Sequence, residues 1–264
     1  MKRKLRKSLV TAVGPAWAPI LKYSLPTFQE YAEAQNYDVI VEQIARDSAD
    51  WHSESSRSAR WSKPQIIKKI LKNSDIVVWF DADIIICRYD EDISSHLLNG
   101  AFQAITMEHV PSENRVNPNM GVWVIRRCQE AFEFLNAIEE AGLQPGPWTD
   151  QGTILKILGW ERGDKNYFGA RPGLGNKYLL DTSWLPIGWN QPFIDRPDIG
   201  EVWSNRPIEK FPHAVHFMGM RNINERTRTM VKFYKSLSSK PVLNKKITPT
   251  NKHLTKPINM VPLG

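Results

Sequence analysis

Two aspartates follow the most hydrophobic run of the chain. The segment 76–86 reads IVVWFDADIII, so that Asp81 and Asp83 flank a single alanine between two apolar runs. On an extended chain, residues two apart point to the same side. Two ionised carboxylates ~4 Å apart repel by about 4 kcal/mol at an effective dielectric of about 20. A divalent cation between the two carboxylates would offset this repulsion. Since open α/β sheets bind ligands at the carboxyl ends of their strands, the spacing predicts a divalent-cation site at the end of this strand.

The aspartate pair by itself leaves other interpretations open. Two solvated acids at a strand end give the same pattern. A hydrophobic strand ending in DxD also begins the haloacid-dehalogenase-like phosphatases and phosphotransferases, which use Mg²⁺ and in which the first aspartate, here Asp81, would be the nucleophile. That fold places the motif on the first strand of the chain, whereas two predicted strands and two predicted helices precede it here. A third alternative is a module that binds sugars or polyanions without catalysis.

The elements around the pair alternate between strands and helices, which predicts an α/β fold with a mostly parallel sheet. The predicted strands are 9–14, 39–44, 76–80, 101–107, 121–127 and 213–219. The predicted helices are 28–38, one that starts at Ser62 with Pro64 in its first turn, one that ends at Gly142, and a short one capped by Thr149. The IVVWF strand has no polar face, which is typical of a central strand covered on both sides.

The charge of the chain is uneven along its length. The net charge is +7, but residues 1–10 carry +5 and residues 221–264 carry +9, which leaves −7 for the body. Solubilising ends are the simplest explanation, and attraction to an anionic surface is the next. Nucleic acid is not expected, because neither interleaved aromatic and basic residues nor zinc-finger spacing occurs. No stretch approaches the roughly 20 apolar residues of a membrane span. We expect a cytoplasmic protein whose basic ends can contact the inner face of the membrane.

Several further motifs occur in a recognisable order. ARWSKPQIIKKIL precedes the aspartates, and NPNMGVWVIRRC, PWTDQGTILKILG, LPIGWNQ and HAVHFMG follow them. This series resembles nucleotide-sugar-dependent glycosyltransferases of the GT-A (Rossmann-like) fold, and among them the retaining galactosyl-, mannosyl- and xylosyltransferase family. The likeness covers roughly residues 9–220. It departs from the family pattern in HFMGM, which lacks a cysteine after the glycine, and in the missing N-terminal stem and membrane anchor of many relatives.

The resemblance implies a metal site. Asp81 and Asp83 would bind Mn²⁺ or Mg²⁺ that bridges the donor diphosphate, and His216 would be the third ligand. Oxygen and imidazole ligands suit Mn²⁺. From composition alone, a histidine in an apolar strand is more often a core residue, and His213 is a less favoured substitute ligand.

The resemblance also implies donor, catalytic and acceptor residues. The implied donor-binding residues are Thr11, Ala12, Val13, Lys63, Asp81, Asn119 and Gly219. Asp150 and Gln151 would be the catalytic pair beside the anomeric carbon, although an acid is also favoured in a first helical turn by the helix dipole. Trp189 and Asn190 would bind the acceptor.

The activity implied is that of a metal-dependent hexosyl- or pentosyltransferase. It would move a sugar from a UDP- or GDP-sugar, with UDP favoured, to a hydroxyl of a glycan or glycolipid, with retention of configuration. A single GT-A domain is expected over residues 1–237. Its nucleotide-sugar half would span about 8–127 and its acceptor and catalytic half about 128–237. Residues 238–264 would form a basic, proline-containing tail.

Overall fold

The computed structural model describes residues 3–45, 47, 54–110, 115–143, 149–161, 171–172, 176–193, 209–220, 222–238 and 260–262. Most of the predicted tail, 238–264, lies outside the described residues. In chain order the strands are β1 (Lys7–Val13), β2 (Asp38–Gln43), β3 (Ile76–Phe80), β4 (Ile84–Ile86), β5 (Gln103–Val110), β6 (Arg115–Arg126), β7 (Trp160–Glu161), β8 (Arg171–Pro172), β9 (Thr182–Leu185), β10 (Gln191–Pro192), β11 (Ala214–His216) and β12 (Met260–Pro262). The helices are α1 (Ala18–Gln35), α2 (Glu54–Leu71), α3 (Gln129–Ala141), α4 (Thr149–Ile157), α5 (Lys177–Leu180) and α6 (Ile223–Ser238), with 3₁₀ turns at Ile93–His96 and Ile187–Trp189.

Seven of these strands form a mixed central sheet in the order β12-β2-β1-β3-β6-β5-β9. β1 lies parallel to both β2 and β3, and β6 runs antiparallel to both β3 and β5. Within this sheet only β6 is reversed, so the sheet is mostly parallel. The predicted tail contributes β12, which adds a parallel strand beside β2.

The apolar composition of β3 follows from its place in the middle of the sheet. All five of its residues are buried. Ile76, Val78 and Phe80 pack on the face covered by α1, and Val77 and Trp79 pack on the face covered by α2, α3 and α4. Because both faces are covered, a polar side chain would be buried without a partner on either side. The expected α/β class, with helices on both faces of the sheet, is confirmed.

A second, three-stranded sheet brings the last part of the chain to the end of β3. Its order is β10-β11-β4, and β11 pairs antiparallel with β4 so that His216 lies opposite Ile84. Helix α6 packs on this sheet through Met230 and Phe233, against Phe217. The histidine strand is thereby fixed beside the residues that follow β3.

Three of the longer helices differ from the sequence expectation. The helix predicted over 28–38 is α1, which begins at Ala18 and ends at Gln35. The predicted start of α2 at Ser62 is wrong, because the helix begins at Glu54 and has Pro64 inside it. Ser62 Oγ donates instead to the carbonyl of Ala59 at 2.6 Å. Lys63 therefore lies in the middle of the helix rather than in its first turn. Helix α6 was not predicted, although Asn222 begins it by accepting hydrogen bonds from the backbone of Asn224 and Glu225.

Among the described residues, no helix combines the length and the apolar character needed to cross a membrane.

Candidate active site

A turn carries the two aspartates, instead of the strand alternation that was predicted. β3 ends at Phe80, and the backbone N–H of Asp81 donates to the carbonyl of Gly121 at 2.8 Å. The backbone N–H of Ile84 donates to the carbonyl of Asp81 at 3.1 Å and closes the turn. The carbonyl of Asp83 accepts from the backbone of Phe217 at 3.0 Å. The turn is thus held by β6 on one side and by the end of β11 on the other.

One atom from each of three side chains converges above this turn. His216 Nε2 lies 3.2 Å from Asp83 Oδ1 and 3.8 Å from Asp81 Oδ2. One ligand atom of each residue lies within 4.8 Å of the others. Asp83 and His216 are buried, and Asp81 is partly exposed. The predicted trio of Asp81, Asp83 and His216 is therefore brought together, with access from the side of Asp81.

Each aspartate gives its other oxygen to a group of the protein. Asp81 Oδ1 lies 2.8 Å from Lys63 Nζ and accepts from Trp79 Nε1 at 2.7 Å. Asp83 Oδ2 lies 2.7 Å from Arg226 Nη1. Burial alone would raise the pKa of Asp83, but the charges of His216 and Arg226 outweigh it and hold the pKa well below its usual range. Asp83 is therefore ionised, with Oδ1 directed at the histidine.

Lys63 connects the aspartate turn to the first turn of α4. Its Nζ lies 3.6 Å from Asp150 Oδ2 and donates to the carbonyl of Met120 at 3.2 Å. Burial favours a lower pKa for this lysine, but the carboxylates of Asp81 and Asp150 more than offset burial, and the pKa lies above its ordinary value. Gln151 donates from Nε2 to the carbonyl of Pro118 at 3.1 Å. Three predicted site residues, Lys63, Asp81 and Asp150, thus form one charged group.

The predicted nucleotide-binding segment lies at the neighbouring strand end. β1 runs parallel to β3 in a register that pairs Val10 with Trp79, so that Thr11, Ala12 and Val13 approach the same edge of the sheet. Thr11 Oγ1 is buried and has no hydrogen-bond partner among the described residues. Gly219 follows β11 with a φ of 78°, a left-handed conformation that favours glycine.

The two residues predicted to bind the acceptor do not present a surface for it. Trp189 is fully buried, and its ring stacks on His213 with centroids 4.2 Å apart. Stacking on an acceptor sugar would need an exposed ring face, so this prediction for Trp189 does not fit the structure. Asn190 is also buried and bonds to His216 and Asn119. Asn119, predicted to face the donor sugar, uses both its amide oxygen and its amide nitrogen within the protein.

Three site residues were missed by the sequence reading. Arg226 contacts Asp83 from α6, a helix that was not predicted. Glu108 accepts from Asn119 Nδ2 at 2.7 Å, and an acid within an apolar strand is a signal that could have been followed. Gly121 lies against the imidazole, since a methyl group built on it would fall 2.4 Å from His216 Cε1 and 2.6 Å from Nδ1. The His216 ring can therefore occupy this position only because residue 121 has no side chain.

Comparison with known proteins places the fold. No family model matches the chain, and no curated protein matches it. Solved structures do match it. A glycosyltransferase involved in the glycosylation of the major capsid of PBCV-1 is 13% identical with a TM-score of 0.56, over 86% of this chain and 99% of that chain. The apo structure of the bifunctional glycosyltransferase WbbM is 14% identical with a TM-score of 0.54, over 89% of this chain and 52% of that chain.

At these identities the likeness concerns the fold. The phosphatase alternative expects the aspartate pair after the first strand of the chain. Here the pair follows β3, so this expectation is not met. The chain has the GT-A fold of glycosyltransferases, with an Asp-Asp-His group at the carboxyl end of its central strand.

Proposed function

We propose that this protein is a metal-dependent glycosyltransferase that moves a sugar from a nucleotide diphosphate to a hydroxyl group of a glycan or glycolipid, with retention of configuration. The observation that carries the proposal is the convergence of Asp81, Asp83 and His216 at the end of β3 within a GT-A fold. Open α/β sheets bind nucleotides at this edge.

The side chains present fit a divalent cation. Asp81 Oδ2, Asp83 Oδ1 and His216 Nε2 are grouped within 4.8 Å, and two of these atoms are carboxylate oxygens. Lys63 and Arg226 offset part of the repulsion between the two carboxylates, and a cation among the three ligand atoms would offset it further. Mixed oxygen and imidazole donors suit Mn²⁺, and Mg²⁺ is the next candidate. When bound, the ion would neutralise the charge that develops on the departing diphosphate.

The charged group around Lys63 supplies the other parts of the proposed chemistry. Lys63 is held between Asp81 and Asp150 and would bring its positive charge close to the donor diphosphate. Asp150 and Gln151 would orient the sugar and stabilise the positive charge on its ring. The bond between the anomeric carbon and the phosphate oxygen breaks, and the acceptor hydroxyl attacks from the same face. Its proton passes to the departing phosphate oxygen, which balances the transfer and retains the configuration.

The proposal divides the work between two parts of the chain. Residues 8–127 would hold the donor, with Thr11, Ala12 and Val13 near the base and Gly219 near the diphosphate. Residues 128–237 would supply the catalytic pair and the acceptor side. A UDP-sugar is favoured as donor, and the basic ends of the chain would attract an acidic glycan or a lipid-linked acceptor. Titration with vesicles of anionic and of neutral lipid tests this last point.

A panel of UDP- and GDP-sugars tests the proposal directly. Each hexose or pentose donor is added with Mn²⁺, with Mg²⁺ or with a chelator, and the melting temperature and the slow hydrolysis of the donor are measured. One donor is expected to stabilise the fold only when a cation is present. Asp150→Asn is expected to keep that stabilisation and to lose hydrolysis, which separates binding from chemistry. The proposal fails if no sugar nucleotide shifts the melting temperature under any of these conditions.

A further inference from the structure

A chain of buried side-chain hydrogen bonds leads from β5 to the imidazole of His216. Asn119 donates from Nδ2 to Glu108 Oε2 at 2.7 Å. Asn190 donates from Nδ2 to Asn119 Oδ1 at 2.9 Å. Asn190 Oδ1 lies 2.8 Å from His216 Nδ1. All four side chains are buried, so these protein groups are the main hydrogen-bond partners available to one another.

Which atom donates in each of these hydrogen bonds is determined at the end of the series that contains Glu108 and Asn119. Glu108 offers only acceptor oxygens when ionised, and the backbone N–H of Gly121, which can only donate, points at Asn119 Oδ1 at 2.8 Å. Two contacts therefore determine the orientation of the Asn119 amide, with Nδ2 towards Glu108 and Oδ1 towards the backbone N–H of Gly121. Asn190 must then turn its NH₂ group towards Asn119 Oδ1, which leaves Asn190 Oδ1 facing the histidine.

The orientation of Asn190 decides which imidazole nitrogen carries the proton. An amide oxygen can only accept, so His216 Nδ1 must donate to it. In the neutral ring the lone pair is then on Nε2, the atom that lies 3.2 Å from Asp83 Oδ1 and 3.8 Å from Asp81 Oδ2. The opposite tautomer would place two acceptors against each other at Nδ1, in a position that is buried from water.

We propose that Glu108, Asn119 and Asn190 are positioning residues that hold His216 in the Nδ1–H tautomer, so that Nε2 is available to a divalent cation. The inference rests on the proposed function for the identity of the ligand. It gives Asn119 and Asn190 a role different from the contacts with donor and acceptor that the sequence suggested. Loss of a hydrogen-bonded partner behind a metal-ligating histidine typically weakens metal affinity by about 10–100-fold.

Two variants at position 190 separate this role from simple packing. Leu has nearly the shape of Asn but offers no acceptor, so Asn190→Leu is expected to weaken Mn²⁺ binding by about 10–100-fold. Asn190→Asp gives up the bond to Asn119 Oδ1 but still accepts the Nδ1 proton, so it is expected to bind Mn²⁺ more tightly than Asn190→Leu. Mn²⁺ binding is measured from the electron paramagnetic resonance signal of the free ion, and urea unfolding curves show that each variant is folded.

The tautomer is measured independently of binding. Protein labelled with ¹⁵N-histidine is studied by long-range ¹H–¹⁵N correlation, with Mg²⁺ as the diamagnetic ion, and the His216 signals are assigned with His216→Gln. Wild type and Asn190→Asp are expected to show a protonated Nδ1, whereas Asn190→Leu loses this preference. An unprotonated Nδ1 in wild type overturns the inference, as does equal Mn²⁺ affinity of the Leu variant and wild type. If wild type binds no Mn²⁺, the proposed metal site fails, while the state of Nδ1 still decides whether the hydrogen-bond chain exists.

Discussion

Arg226 and Asp83 form a buried ion pair, with Nη1 2.7 Å from Oδ2, although 143 positions separate them in the chain. Both side chains are less than a tenth exposed. The guanidinium also donates to the carbonyl of Met220 and lies 4.8 Å from the centre of the Trp17 ring. With one oxygen of Asp83 held in this way, the other is directed at His216.

Arg226→Gln is expected to destabilise the protein by about 3–5 kcal/mol, because it leaves the buried carboxylate of Asp83 without its cation. Urea unfolding without added metal measures the loss. Arg228→Gln is the matched control, since Arg228 lies on the same helix and is exposed. A loss for Arg226→Gln no larger than that of the control would show that the ion pair does not support the fold.

Asp81→Asn is expected to abolish Mn²⁺ binding while the protein stays folded. Asn keeps an oxygen that accepts from Trp79 Nε1, and Asp81 is partly exposed, so little stability is lost. The carboxylate charge is removed, however, and a divalent cation needs it. Calorimetric titration with Mn²⁺ checks this, with Asp90→Asn, at an exposed acid paired with Arg88, as the control. Wild-type affinity in Asp81→Asn would exclude this aspartate as a ligand.

Lys63→Met is expected to lower kcat/KM for the donor by about 10²–10³-fold, the usual effect of removing one preorganised group that stabilises charge. The methionine fills similar space but leaves Asp81 and Asp150 without the cation between them. Lys68→Met, on the same helix and paired with Glu139, is the control. Steady-state kinetics with the donor found in the panel give the comparison. A kcat/KM equal to that of the control would make Lys63 an ordinary structural lysine.

Stability is expected to fall as the pH is lowered through the range in which His213 takes up a proton. Burial, and after it the charge of Arg88, hold the pKa of His213 below its ordinary value, against the weaker opposing charges of Glu91, Asp90 and Glu209. The unfolded chain therefore binds the proton first, near pH ~6.5. The contribution of neutral His213 to the free energy of unfolding is therefore complete above that pH and is lost below it. The loss is no more than about 1.4 kcal/mol per pH unit.

The geometry of His213 gives the same sign. Its Nε2 faces Glu91 Oε2 at 3.0 Å, and its Nδ1 is buried with no partner among the described residues. A second proton would thus be placed on a nitrogen that has no acceptor in this part of the structure. Urea unfolding between pH 5.5 and 8 tests the prediction, with His213→Gln expected to flatten the dependence. An unchanged slope in that variant would assign the effect to other groups.

Much of the central sheet could be predicted because its signals are local. The predicted strands 9–14 and 39–44 differ from the observed ones by one or two residues at their ends, and the predicted strand 76–80 coincides with β3. The uninterrupted apolar run of β3 requires cover on both faces, and that cover is found. The helix predicted to end at Gly142 does end there, at a glycine with a φ of 62°.

The details of the site depend on contacts that no local pattern specifies. Asp81 and Asp83 converge because β6 and β11 hold the turn, although the sequence suggested a strand. The resemblance implied that Trp189 binds the acceptor, but its ring is buried against His213. The orientation of Asn119 depends on Glu108 eleven residues away, and that of Asn190 depends on Asn119 seventy-one residues away. Such pairings follow from the register of the sheets, which a single sequence does not reveal.

The missing side chain at Gly121 makes the position of the His216 ring sensitive to a single methyl group. The imidazole occupies the volume that a Cβ would need, and its hydrogen bond to Asn190 restricts its retreat. Gly121→Ala would therefore push the ring outward by about the width of the overlap without altering any charge, polar group or backbone requirement. Position 121 is therefore the place at which one methyl group would move the histidine relative to Asp81 and Asp83 while the identity of every proposed ligand stays the same.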